Sequence, residues 1–332
     1  MSTDEIRLPI VDLSDYLRSD SLDKKEHVIA QIRDACKQFG FFQLTGHGIP
    51  LTLQHELFKS LDRLFKMPTE EKLKLSYLEN PCRRGYEASG MSMRDGDPLP
   101  DSKEAYYIGR EDPVVELSGS TALTYGQISQ KTSFRSQSGT VHRSLFPGSA
   151  KEYYQQTSRL GRTIWEILLQ GLGYSIEVME TFARRPLVQM KLIRYPPAKS
   201  TLPGQYGVGA HNDFGGVTVL LQQPGKEGLE VWLEDKQAWL SVPAREDVYV
   251  INCGDMIMKW SGGRYKSVKH RVVNKSDAER LSCATFWHGD VFATNPLDPN
   301  DESKETVGQL LVRRFRTQMS LPKAGLAEVN EA

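Results

Sequence analysis

The chain has little of what would mark it for secretion, for a membrane or for a polyanionic partner. Only four of its 332 residues are cysteines, Cys36, Cys82, Cys253 and Cys283. They are far apart, form no C-x-x-C pair and sit mostly in apolar runs, so they read as reduced thiols acting as small hydrophobes. Charge of either sign is not in excess: 42 Lys and Arg balance 42 Asp and Glu. With no basic stripe and no charged tail, nucleic acid is not an expected partner. No run of about eighteen apolar residues occurs. The start, Met-Ser-Thr-Asp-Glu-Ile-Arg-Leu-Pro, lacks a basic segment and an apolar signal core. A soluble, cytoplasmic protein without a membrane segment is expected, its oligomeric state left open. Its length suffices for one large domain with a substantial core or for two modest ones.

What is present centres on residues 209–222, Gly-Ala-His-Asn-Asp-Phe-Gly-Gly-Val-Thr-Val-Leu-Leu-Gln. A His and an Asp stand two apart at the mouth of a β-branched, apolar run, and side chains at i and i+2 of an extended segment share a face. His211 and Asp213 are thereby placed to hold one metal ion. Fifty-seven residues after Asp213, the run Tyr-Lys-Ser-Val-Lys-His-Arg-Val-Val puts His270 in a second strand-like segment. Two imidazoles and one carboxylate on one face leave open positions, the arrangement expected of a non-haem Fe(II) oxygenase. Further on, Arg280 and Ser282 open an apolar strand with the same i,i+2 spacing. A guanidinium fork beside a hydroxyl is a receptor for a carboxylate. Each signal alone is weak, because His-x-Asp arises by chance and a lone strand His is usually structural. Their order, each within strand-like sequence, carries the argument.

In that order the motifs resemble those of the Fe(II)/2-oxoglutarate-dependent dioxygenases of the isopenicillin N synthase-like branch: His-x-Asp, a long gap, His, then Arg-x-Ser. The resemblance extends over nearly the whole chain. It implies an α+β fold with a double-stranded β-helix, or jelly roll, as core, an N-terminal α/β region and flanking helices. It also implies iron on His211, Asp213 and His270, and 2-oxoglutarate on Arg280 and Ser282, with Tyr195 as the tyrosine that meets a 2-oxoglutarate carboxylate in many members. The implied reaction uses O2 to oxidise an unactivated C–H bond of a small organic molecule, by hydroxylation, desaturation or ring rearrangement, with release of succinate and CO2. Secondary metabolism is the expected setting. Two rivals stand beside it: an iron oxidase like isopenicillin N synthase that uses no 2-oxoglutarate, and a non-catalytic barrel.

Along the chain, residues 8–13 read as a short strand confined by Pro9 to an edge or first position. Residues 23–39 show a helical stripe ended by Gly40, and Pro50 opens a second helix. His47, in the turn between them, reads as structural. Residues 80–113 lose periodicity and resemble family segments crossing the active-site mouth. Their Tyr86 is a candidate substrate contact, or else packs with Tyr106 and Tyr107 against the core. Residues 114–141 have the composition of a mobile insertion or an idle loop. A long helix spans 151–172, short strands follow from 188 to 287, and a last helix over 306–319 is expected to cover the barrel mouth. The implied organisation is an N-terminal region 1–115, a variable loop or lid 116–145, and a catalytic unit 146–332 whose core spans about 186–290. If Tyr195 points inward, alternation sends Ile193 and Lys191 inward too, where an ammonium is costly unless it meets an anion. A register shift would instead turn Arg194 inward. Lys191, Tyr86, Phe214 and Trp287 are the substrate candidates.

Overall fold

The computed structural model describes residues 6–79, 84–94, 96–109, 148–298 and 300–318. The expected loop or lid over 116–145 lies outside the described residues. The N-terminal part runs β1 (Ile10–Asp12), α1 (Ser14–Arg18), α2 (Leu22–Gln38), β2 (Phe41–Thr45), α3 (Leu51–Phe65), α4 (Thr69–Leu73), β3 (Gly85–Glu87) and β4 (Glu104–Gly109). A long helix, α5 (Gly148–Gly171), and the short α6 (Met179–Phe182) lead to β5 (Pro186–Tyr195), β6 (Val208–His211), β7 (Val217–Gln222), β8 (Leu229–Leu233), β9 (Ala238–Ser241) and β10 (Tyr249–Cys253). After these come α7 (Asp255–Trp260), β11 (His270–Val272), β12 (Arg280–Asp290) and α8 (Val307–Gln318).

Among the described residues the strands form two sheets, one ordered β1-β2-β10-β7-β12-β5-β4-β3 and one ordered β6-β11-β8-β9. Every pairing is antiparallel except β1 with β2. Pro9 thus precedes an edge strand, as its missing donor demands. Alternation divides the larger sheet cleanly. Val217, Val219 and Leu221, with Tyr249, Ile251 and Cys253, join the main core beneath the helices. Phe41 and Val250 turn the other way to meet Leu229 and Val231 of the smaller sheet, and Ile193 and Tyr195 likewise meet Val208 and Val272. These two clusters join the sheets into the expected jelly-roll core, leaving the space between the sheets for a site.

The helices cover the opposite face. Ser21 caps α2 by accepting from the Lys24 N–H, and the helix buries Val28, Ile29, Ile32, Ala35 and Cys36. Gly40 ends it with φ +64°, and a Cβ there would stand 2.4 Å from the Lys266 carbonyl oxygen. On α5, Gly161 lets the helix lie directly on Trp287. The last helix packs against β12, burying Val307 and Leu311 in the main core. His47 is structural: Nδ1 accepts from the Ile49 N–H, and Nε2 donates to the Asp247 carbonyl.

Candidate active site

His211 ends β6 and His270 begins β11, and the two are register partners in the smaller sheet. Their ring centroids lie 4.2 Å apart. Asp213 follows in the turn after β6. One ligand atom from each of the three lies within 4.8 Å of the others. That turn is pinned from behind: the Asp255 N–H donates to the Asp213 carbonyl at 2.7 Å and the Gly254 N–H to that of Gly216 at 2.8 Å. Gly216 is required, since a Cβ there would lie 2.4 Å from the Trp165 ring. The first turn of α7 therefore fixes the carboxylate's backbone.

The hydrogen bonds set the ligand atoms. His211 Nδ1–H donates to the Gly209 carbonyl at 2.8 Å, and His270 Nδ1–H to that of Val268 at 3.1 Å. Both rings thus present an Nε2 lone pair to the centre. Asp213 Oδ2 accepts from Thr218 Oγ1 at 2.6 Å and Asn252 Nδ2 at 2.8 Å. The other oxygen, Oδ1, lies 3.7 Å from His211 Nε2 and 3.8 Å from His270 Nε2. Burial, then the neighbouring His270 and Arg94, holds His211 well below the usual imidazole range, so the ring is neutral as a ligand must be.

A second constellation lies on the same inner surface. Arg280 is paired in register with Tyr195, and Ser282 with Gln222 and Ile193. Arg280 is buried, with Nε donating to the Lys226 carbonyl at 3.1 Å and Nη2 to Gln222 Oε1 at 2.9 Å. Its guanidinium lies 4.7 Å from the Tyr195 ring centroid. Arg280 Nη1 and Ser282 Oγ are buried without a protein partner. Burial lowers the guanidinium pKa, a cost that a carboxylate bound at these two atoms offsets.

The sequence matches two family models, the non-haem dioxygenase N-terminal family described from morphine synthesis over residues 8–127 and the 2OG-Fe(II) oxygenase superfamily over residues 187–289. It is 70% identical to the 2-oxoglutarate-dependent dioxygenase thnC of Trichoderma harzianum, over 100% of both chains. It is 40% identical to the 2-oxoglutarate-dependent dioxygenase caaD of Aspergillus niger, covering 98% of this chain and 97% of that one. The chain belongs to the 2-oxoglutarate- and Fe(II)-dependent dioxygenases. Its fold is shared with a full-length Neurospora crassa protein solved in complex with alpha-KG, at a TM-score of 0.75 and 24% identity over 96% of this chain and 98% of that one.

This dioxygenase works with Fe(II), 2-oxoglutarate and O2, and its structure sorts the substrate candidates. Lys191 lies on the inner surface with Ile193 and Tyr195, as alternation requires, while Arg194 on the other side meets Glu104 at 2.6 Å and also bonds Glu279. Phe214, partly buried, lies parallel to the imidazole of His288. Two expectations are corrected. Trp287 is fully buried on the helix side against Trp165, Phe182 and Gly161. Counting by twos from Arg280 and Ser282 turns Phe286 inward and Trp287 outward, and Phe286 and His288 are the stacked pair facing Phe214. Tyr86 likewise faces the helices: its hydroxyl bonds Glu104, and Lys72 sits over its ring. Sequence reasoning missed Thr218 and Asn252, register partners on β7 and β10. Alternation inside those strands was the available signal. No described helix is long and apolar enough to cross a membrane.

Proposed function

We propose that His211, Asp213 and His270 hold the iron, and that Arg280 and Ser282, with Tyr195 beside them, hold the distal carboxylate of 2-oxoglutarate. We further propose that the site oxidises an unactivated C–H bond of a small organic molecule in cytoplasmic secondary metabolism. The observation that carries the cosubstrate assignment is the pair of buried, unpartnered donors at Arg280 Nη1 and Ser282 Oγ. A dicarboxylate whose far end reaches them would leave its near end for the metal. The iron with 2-oxoglutarate and O2 supplies the oxidising power that breaks the C–H bond, while the cosubstrate leaves as succinate and CO2.

The chain's own work is positional. Gly209 and Val268 fix the imidazole tautomers, and Thr218 and Asn252 occupy one Asp213 oxygen so that the other turns to the metal. Phe214 and Phe286 each lie parallel to the His288 imidazole, and apolar ring faces next to Asp213 favour water exclusion around a bound substrate. An iron oxidase that spends no 2-oxoglutarate would leave Arg280 and Ser282 to the substrate. The relatives named above favour the cosubstrate reading.

Arg280→Lys tests it. Lysine keeps the charge but loses the planar two-point fork, so half-saturation by 2-oxoglutarate should rise by about tenfold or more with little change in iron binding. Unchanged dependence on 2-oxoglutarate in this variant counts against Arg280 as the anchor.

A further inference from the structure

The wall of the barrel facing the metal triad carries a buried charge cluster that neither the iron nor the 2-oxoglutarate assignment uses. Glu87 on β3 is at its centre. Its carboxylate accepts from Lys103 Nζ at 3.2 Å, Lys191 Nζ at 3.1 Å and the Tyr107 hydroxyl at 2.9 Å. Burial alone would raise this carboxyl, but the two ammonium groups and the phenol outweigh it and hold Glu87 below the usual carboxylate range.

The two lysines are not equivalent. Lys103 is almost fully enclosed and also meets Ser92 Oγ at 2.6 Å and Asp101 Oδ2 at 3.5 Å. An ammonium has three donors, and those of Lys103 are matched within the protein. Lys191 meets the single carboxylate of Glu87 and lies 4.7 Å from the centre of the Tyr107 ring. Its side chain stays 13% exposed against 2% for that of Lys103. It stands on the inner surface of β5 beside Ala284, whose methyl group takes little of the space in front of it.

Arg94 reaches the same region from the loop before β4. Its Cγ lies 2.9 Å from where a Cβ on Gly209 would stand, two residues before His211, and its Nε is buried without a partner. Asp97 stands beside Arg94 against Gly209 and Asp101 lies by Lys103, so this wall carries both signs, while Lys191 keeps a single carboxylate partner and part of its side chain open. The donors left for an entering anion are those of Lys191 and the Arg94 Nε–H.

We propose that the prime substrate is an organic acid whose carboxylate is received by Lys191 and Arg94, with Glu87 and Tyr107 as positioning residues that hold the Lys191 ammonium toward the metal. This rests on the iron and 2-oxoglutarate assignments above. Charge-assisted bonds from an ammonium and a guanidinium discriminate an acid from its uncharged ester.

The test measures succinate released from 2-oxoglutarate by the iron-loaded protein with a panel of medium-chain and aromatic carboxylic acids, each beside its methyl ester. Wild type should respond at least about tenfold more strongly to one or more acids than to the matched ester. Lys191→Met should erase that preference and Lys191→Arg retain it. Glu87→Gln should raise the half-saturating acid concentration more than it lowers the maximal rate. Equal responses to acid and ester in wild type, including no response to either, overturn the proposal. So does a Lys191→Met variant whose change is a raised 2-oxoglutarate requirement, which makes Lys191 a cosubstrate contact. Failure of the underlying assignment shows separately, because Arg280→Lys would then leave the 2-oxoglutarate requirement unchanged with acid and ester alike.

Discussion

Asp213 shows how much of a candidate metal site is decided one atom behind the proposed ligand. With Oδ2 taken by Thr218 and Asn252, the carboxylate has one orientation and offers Oδ1 to the centre. Asn252→Ala removes one of the two restraints, and Fe(II) affinity should fall about ten- to hundredfold while the fold persists. Anaerobic iron titration with circular dichroism checks this, and unchanged affinity would contradict it. His288 makes a pH prediction of definite sign. Burial drives its pKa from 6.5 down to about 4, so the unfolded chain binds the proton more readily than the folded one. Its contribution is fully present above about pH 6.5 and is lost as pH falls toward about 4, by roughly 3 kcal/mol at most. Below that no further loss comes from this group. Iron-free His288→Gln should therefore lose less stability than wild type between those pH values, and parallel melting curves would refute the assignment.

Elements long enough to repeat their period were legible in the sequence. The strands Val217–Gln222 and Leu229–Leu233 fall within the stretch of short strands expected from 188 to 287, and α2 and α5 follow their apolar stripes to within a few residues. The three residues of β3 and the six of α7 carry no period to read. Both are held by tertiary contacts, β3 by pairing with β4 and α7 by carbonyls of the turn after Asp213. Trp287 stands one residue out of phase with the inward side chains counted by twos from Arg280 and Ser282, so it faces the helices. Its buried place between α5 and β12 makes it a stability residue. Trp287→Ala should cost about 3–5 kcal/mol in chemical denaturation, and Trp287→Phe far less. A loss of substrate affinity in Trp287→Phe at unchanged stability would restore it to the pocket.

Across the whole molecule, the site exists because the two sheets close on each other. His211 and His270 are distant in the chain and adjacent in register, while Asp213 is braced from the larger sheet through Thr218 and Asn252. The three metal-binding candidates could be named from spacing because their residue types are rare and their order is specific. The charged wall could not, since Glu87 lies in an aperiodic stretch and acquires its meaning only when β3 and β4 bring it against Lys191. The most direct test is an anaerobic Fe(II) titration in the presence of 2-oxoglutarate, followed by the visible charge-transfer band of the chelate. Wild type should develop the band in proportion to bound iron, and His270→Ala should lose both band and stoichiometric iron while remaining folded. A His270→Ala protein with wild-type iron content and an unaltered band would contradict the account.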